Sequence, residues 1–221
     1  MSKELIIFDL DGTLIDSVPD LALAINDMLV KLDRDTFSEE SIRDWVGNGA
    51  KVLVSRALSG EREYEGIDEN LLEKAMEIFL KSYTHFLSHS TKPYDGVIQT
   101  LKELKSRGYK MVIVTNKPYE FVPPLLKTLK MDSFFDFYLG GDSLDEKKPS
   151  PMPLNYVCQK CNIDKSKAIM VGDSSNDLIS ANSANIDSIG VTYGYSCGED
   201  ISIYKPTFII NELKEMLNIL D

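Results

Sequence analysis

The chain has 221 residues, with 24 Lys+Arg against 35 Asp+Glu and a formal charge of −11 at pH 7. That acidity argues against a nucleic-acid binder, whose footprint is a basic patch, and no apolar run approaches the roughly 20 residues that span a bilayer. An apolar content of 43% and a charged content of 27% are those of a globular chain with a real core, as one large domain or two unequal ones.

The first apolar run, Leu5 to Phe8, closes at Asp9 and is too short for a signal-peptide core. Cys158, Cys161 and Cys197 are an odd and sparse set without a disulfide framework, which fits a reducing compartment. A cytoplasmic location is expected. After Asp9 the pattern turns helical for some seventy residues. Val18, Leu21, Ile25, Met28, Leu29 and Leu32 share one helical face, and Leu71, Leu72, Ala75, Met76, Phe79, Leu80, Tyr83 and Phe86 share another. Shorter helices are predicted at Glu39–Val46 and Ala50–Leu58.

From Val97 the chain alternates. Strands are predicted at Lys110–Val114, Phe137–Leu139, Ala168–Val171 and Ile189–Val191, with Thr207–Ile210 weaker. Helices are predicted at Val97–Arg107, Tyr119–Leu129, Met152–Cys161, Asn176–Ala184 and Glu212–Leu220. Strands joined by helical crossovers imply an α/β fold, a doubly wound, Rossmann-like parallel sheet covered on both faces. The long helical interval far exceeds a crossover, so it is read as an inserted all-helical domain: residues 16–89 as a cap, residues 1–15 and 90–221 as the core.

Ligands of such sheets bind outside the carboxyl ends of the strands. There the sequence places Asp9-Leu10-Asp11-Gly12-Thr13, Val114-Thr115-Asn116-Lys117-Pro118, Lys147-Lys148-Pro149 and Gly172-Asp173-Ser174-Ser175-Asn176-Asp177. An isolated Asp-Gly turn is ordinary. Carboxylates, a hydroxyl, an amide and an ammonium on four tips of one rim are not. Gly12 is expected to let backbone N–H groups approach an anion.

In this order and spacing the motifs resemble the phosphatase branch of the haloacid dehalogenase superfamily, over essentially the whole chain. Gly47-Asn48-Gly49-Ala50, Thr115-Asn116-Lys117-Pro118 and Thr192-Tyr193-Gly194-Tyr195 further resemble bacterial phosphoglycolate phosphatases. The resemblance implies that Asp9 is a nucleophile forming an aspartyl phosphate and that Asp11 is its general acid and base. It further implies that Thr115 and Lys148 complete the catalytic set, with Lys147 a solvated charge. Mg²⁺ is implied on Asp9, Asp173 and the Asp11 backbone carbonyl, and Asp177 either supports the metal or holds Lys148. Charge counting agrees: Asp9, Asp173 and Asp177 bring −3 and a phosphate monoester about −2. Each like-charge pair at ~4 Å costs about 4 kcal/mol at an effective dielectric of 20. Mg²⁺ and Lys148 add +3, and Gly12 and Asn116 are expected to offer backbone donors to phosphate.

The cap loop around Asn48, with Lys51 and Arg56, is expected to read the substrate carboxylate through a helix N-terminus. The implied substrate is a small-molecule phosphate ester, 2-phosphoglycolate first, acted on by a monomer or homodimer. Pyrophosphate or nucleotide hydrolysis uses the same core. A hexose-phosphate mutase needs a further acid/base behind the first motif, and Val18-Pro19-Asp20-Leu21-Ala22-Leu23 has no His. Phosphonate hydrolysis would need a Schiff-base lysine, for which Lys51 is the candidate. A non-catalytic phosphate-binding module had no need to keep Asp9, Asp11, Lys148 and Asp173 together. Cys158 with Cys161, and His85 with His89, have metal- or redox-like spacing without further ligands, and are expected to be incidental.

Overall fold

A computed structural model describes residues 3–195 and 200–220, so Cys197 lies outside the described residues. Strand β1 (Leu5–Phe8) is wholly buried. Its period-two alternation sends Ile6 and Phe8 into one apolar cluster, with Leu101, Ile113, Leu125 and Val171, and Leu5 and Ile7 into another, with Val112, Leu154, Met170 and Ala181. Each face of the sheet therefore has its own core, as a parallel sheet requires.

The chain then forms a two-residue strand, β2 (Ile15–Asp16), and four helices: α1 (Val18–Lys31), α2 (Glu39–Arg43), α3 (Ala50–Ser59) and α4 (Glu69–Phe86). It returns through β3 (Lys92–Pro93), antiparallel to β2. The β2–β3 pair is absent from the sequence reading because two residues carry no period. Two polar clamps fasten this crossing. The fully buried Asp20 accepts from Ser90 N, Thr91 N and Thr91 Oγ1. Arg43 grips Asp16 in a bidentate pair at 3.0 and 3.1 Å.

The remaining elements are α5 (Val97–Ser106), β4 (Lys110–Val114), α6 (Val122–Thr128), β5 (Phe137–Leu139), α7 (Met152–Cys161), β6 (Ala168–Gly172), α8 (Ser175–Ala184), β7 (Asp187–Val191), β8 (Phe208–Ile210) and α9 (Met216–Ile219). The sheet is six-stranded, ordered β5-β4-β1-β6-β7-β8, and every adjacent pair is parallel. The helix expected over Tyr119–Leu129 begins as a 3₁₀ turn, Tyr119–Phe121, before α6. Pro123 and Pro124 then occupy the start of α6, where a missing N–H costs nothing. The helix expected over Glu212–Leu220 is likewise split, into a 3₁₀ turn and α9. The α1–α4 segment closes its own apolar cluster around Leu21, Ile25, Met28, Leu53, Phe79 and Tyr83, and Phe121 joins it from behind β4. Among the described residues no helix is long and apolar enough to cross a membrane.

Candidate active site

In-register pairing sets the site. Phe8 is level with Ile113 of β4 and Val171 of β6, so the residues that follow these strands leave the sheet on one rim. Asp9 N donates to Val171 O at 2.9 Å, and Thr115 N to Leu139 O at 3.0 Å. Asp9, 8% exposed, Thr115 and Lys148 line one cavity beneath α1, α3 and α4.

Lys148 is buried to 2% exposure. Its Nζ donates to Val114 O at 2.5 Å and to Asp177 Oδ1 at 2.6 Å. It also stands 2.8 Å from Asp9 Oδ1, off the angle of a hydrogen bond, so the contact is an ion pair that leaves this oxygen without a donor. Burial opposes the ammonium charge, but Asp177 and Asp9 outweigh it and hold the lysine pKa above its ordinary value. Asp177 belongs to the first turn of α8, where its Oδ2 accepts from Ser174 N at 3.1 Å and Ser174 Oγ at 2.7 Å in a capping box. Of the two roles the sequence left open for Asp177, holding Lys148 is the one visible in its contacts.

Asp173 follows β6 and is held by Thr13 Oγ1 at 2.8 Å and Tyr195 N at 2.7 Å. Gly12, at φ 91°, passes so close that a Cβ there would sit 2.2 Å from Asp173 Oδ2. The glycine makes room for the carboxylate. Its own N–H donates to Ile15 O at 2.9 Å, so a backbone donor to an anion at this turn would be a neighbour's.

Carboxylate oxygens of Asp9, Asp173 and Asp177 lie within 4.8 Å of one another, all buried, the one such group of potential metal ligands among the described residues. Burial, then the Asp177 charge, pushes the pKa of both Asp9 and Asp173 above the ordinary carboxylate range. One ammonium faces three carboxylates. This charge deficit, the oxygen-only donors and the donorless Asp9 Oδ1 fit a hard dication such as Mg²⁺.

Asp11 also lines the cavity. Its Oδ1 accepts from Ser17 Oγ at 2.5 Å and Lys117 Nζ at 3.0 Å, and its Oδ2 lies 3.3 Å from the same ammonium. Lys117 was quoted in the second motif but given no role. It is 6% exposed, donates to Tyr83 Oη of α4 at 2.6 Å and lies 4.7 Å from that ring centroid. A lysine between a strand end and a proline is an ordinary surface pattern, and Tyr83 reads as one more apolar residue of α4. A hydroxyl on an otherwise apolar helix face was the available signal.

The cap expectations fare unevenly. Gly49 and Ala50, at the start of α3, line the cavity, and α3 has no side-chain cap at its N-terminus. Lys51 is exposed and does not line the cavity. Arg56 is buried and turned inward, donating to Arg62 O, Trp45 O and Asn48 Oδ1. Both side chains are corrected from substrate contacts: the first faces solvent, and the second fastens the loop. Asn48 is held through its Oδ1 by Arg56 and through its carbonyl by Lys147 Nζ at 2.8 Å, so Lys147 ties the core to this loop. Asn116 lines the cavity, and its Nδ2 donates to Lys148 O at 3.0 Å. Burial raises the thiol pKa of Cys158 and Cys161, which keeps them unreactive. The His85 and His89 rings lie 5.8 Å apart and belong to no metal-ligand group among the described residues.

The haloacid dehalogenase-like hydrolase family matches residues 6–191. The chain is 47% identical over 216 residues to a phosphoglycolate phosphatase of Colwellia psychrerythraea, covering 97% of this chain and 96% of that one. It is 44% identical to the phosphoglycolate phosphatase of Psychrobacter arcticus, covering 100% and 96%. A crystal structure of a predicted phosphoglycolate phosphatase from Haemophilus somnus superposes with a TM-score of 0.94 at 38% identity, over 100% of this chain and 99% of the other. The match runs from β1 to the end of β7 and includes all three residues of the acidic cluster, and the chain belongs to the haloacid dehalogenase-like hydrolases.

Proposed function

We propose that the protein is a Mg²⁺-dependent phosphomonoesterase that hydrolyses 2-phosphoglycolate through an aspartyl phosphate. The observation that carries this reading is Asp9: a buried carboxylate at the end of the central strand, one oxygen without a hydrogen-bond donor, lining the cavity. The names of the relatives support the choice of substrate.

Asp9 attacks phosphorus, and the ester oxygen departs as an alkoxide. Asp11 gives that oxygen a proton, then takes one from the water that attacks the phosphoaspartate and restores Asp9. Lys148, locked by Asp177, keeps a positive charge beside Asp9 throughout. Thr115 Oγ1 accepts from Lys117 N at 3.2 Å, which leaves its hydroxyl proton for a phosphoryl oxygen. The Asn116 backbone N–H is the second donor assigned to phosphate. The Asp9 and Asp173 carboxylates with the Asp11 carbonyl would hold Mg²⁺, which when bound supplies the positive charge missing from the acidic cluster.

In this reading residues 16–89 act as a cap over a core of residues 1–15 and 90–221. The first turn of α3, opening on the cavity at Gly49 and Ala50, receives the substrate carboxylate with backbone N–H groups. The test is kcat/KM across a panel of phosphorylated metabolites, with and without chelator. Preference for 2-phosphoglycolate, lost on chelation and restored by Mg²⁺, is expected; metal-independent turnover, or a preference for pyrophosphate or nucleotides, would overturn it.

A further inference from the structure

A general acid is useful only if its proton sits on the oxygen that faces the leaving group. In Asp11 the two oxygens are unequal. Oδ1 takes two donors, Ser17 Oγ and Lys117 Nζ, whereas Oδ2 has only the longer 3.3 Å approach of the same ammonium. Oδ1 is therefore the oxygen by which the carboxyl group is gripped, and Oδ2 is the less engaged of the two.

The grip itself is held from outside the sheet. Lys117 is buried, and a buried ammonium must be partnered. Its partners are Asp11 and the Tyr83 hydroxyl, the latter from α4. The Tyr83 ring is fixed by stacking on Phe79, with centroids 5.8 Å apart, and by an edge contact with Phe121 at 4.8 Å. Ser17 sits at the other entrance to the helical segment, at the N-cap of α1. The Lys117 grip on Oδ1 thus depends on where α4 rests, while Ser17 is also tied to the core through its N–H, which donates to Tyr195 Oη at 2.8 Å.

We infer that Tyr83 and Lys117 are positioning residues that fix the Asp11 carboxyl group, directing its proton to the leaving oxygen only when α4 is docked over the rim. The inference rests on the phosphomonoesterase reading and on Asp11 as its acid. It also separates two uses of lysine in one cavity: Lys148 serves the nucleophile, and Lys117 serves the acid.

The test varies the leaving group. Departure of an alkoxide needs a proton, whereas acetate leaves acetyl phosphate without one, and kcat/KM reports the first, leaving-group-expelling step. Lys117→Met is expected to lower kcat/KM on 2-phosphoglycolate and on ethyl phosphate by about 10²-fold, and on acetyl phosphate by less than about threefold. Tyr83→Phe keeps the ring packing and its π contact with the ammonium but deletes the hydroxyl. It should show the same selectivity at about tenfold, and it serves if the lysine variant does not fold. Equal losses on all three substrates, or no loss on any, would overturn the inference. So would a loss on 2-phosphoglycolate with ethyl phosphate spared, since Lys117 would then be reading the substrate carboxylate. Asp11→Asn is the control for the underlying reading: if it too fails to distinguish alkyl from acyl phosphate, the assignment of Asp11 as the acid falls. If it distinguishes them and both other variants do not, only the positioning role falls.

Discussion

On the sheet side Asp9 and Lys148 line the cavity, with Asp173 and Asp177 clustered against Asp9, each of the four 8% exposed or less and tied to polar or charged partners. On the helical side Leu21, Val46, Leu53 and Phe79 face the same space with nothing but hydrocarbon. The first wall arises from loops that leave a parallel sheet in register, which fixes where the charged groups meet. The second arises from an amphipathic bundle that buries its own core and presents part of that core to the site. The charged groups of the first wall carry the chemistry, and the hydrocarbon of the second keeps the site dry; Tyr83, whose hydroxyl reaches Lys117, is where the helical wall touches the chemistry. Breaking the charged wall should destroy turnover, and altering the hydrocarbon of the helical wall should change what binds.

The largest effect is expected from Asp9→Asn. The amide cannot form the acyl phosphate, so turnover should fall by about 10⁴-fold or more while the circular dichroism spectrum and melting transition stay those of a folded chain. Retention of more than a few per cent of activity would exclude the covalent route. Next is Lys148→Met, which leaves Asp9 and Asp177 buried without their cation. Turnover should fall about 10²- to 10³-fold, and chemical denaturation should show a loss of about 3 kcal/mol. A variant as stable as the parent would mean that the lysine does not neutralise the cluster.

Metal removal sharpens the same contrast through pH. Burial and repulsion from neighbouring carboxylates, Asp177 first, raise the folded-state pKa of Asp9 and Asp173 above the ordinary carboxylate value. The native state then holds more protons than the unfolded chain, so without metal these groups lower stability progressively as pH rises past that value. A dication binds the deprotonated forms and reverses the penalty. The Tm increase produced by Mg²⁺ should therefore grow with pH across the mildly acidic to neutral range. An increase that is flat in pH would place the ion elsewhere.

Val46→Asp probes the other wall. Val46 is only partly buried, so stability should change little, but a carboxylate facing an anionic ester should raise KM about tenfold, or about 1.4 kcal/mol, with Mg²⁺ binding unchanged. Loss of the metal response in this variant would show that the two walls are not separable.

This division also explains what could be read from the sequence. The charged wall was legible because its residues follow strand ends, and strands declare themselves by apolar runs whose termini point at the rim. Asp9, Thr115 and Asp173 directly follow strands and needed no knowledge of distant packing to be placed there, whereas Lys148, well past the end of β5, was singled out over Lys147 by the family resemblance. The partners of Asp11 were not legible, because Lys117 meets Tyr83 only after α4 has docked, 34 residues away along the chain. At Gly12 the freedom of φ was visible, but the carboxylate pressing against it was not. In the cap loop the sequence marks the turn, and nothing in it says on which side of α3 a long side chain will lie.

Lys51 is where that ambiguity gives the smallest effect. At the second position of α3 it is close in sequence to Gly49 and Ala50, which line the cavity, yet its own side chain is exposed. An exposed lysine is surrounded by water and screened within about 8 Å at physiological salt, so its contribution to binding an enclosed anion is small. Lys51→Ala should leave kcat/KM for 2-phosphoglycolate within about twofold of the parent. The backbone N–H groups of the same turn are unaffected by the substitution, so a substrate carboxylate seated on them would not sense it. A loss well beyond that range, confined to carboxylated substrates, would mean that the lysine folds back over the cavity when substrate is bound, and the apolar wall would then carry a charge of its own.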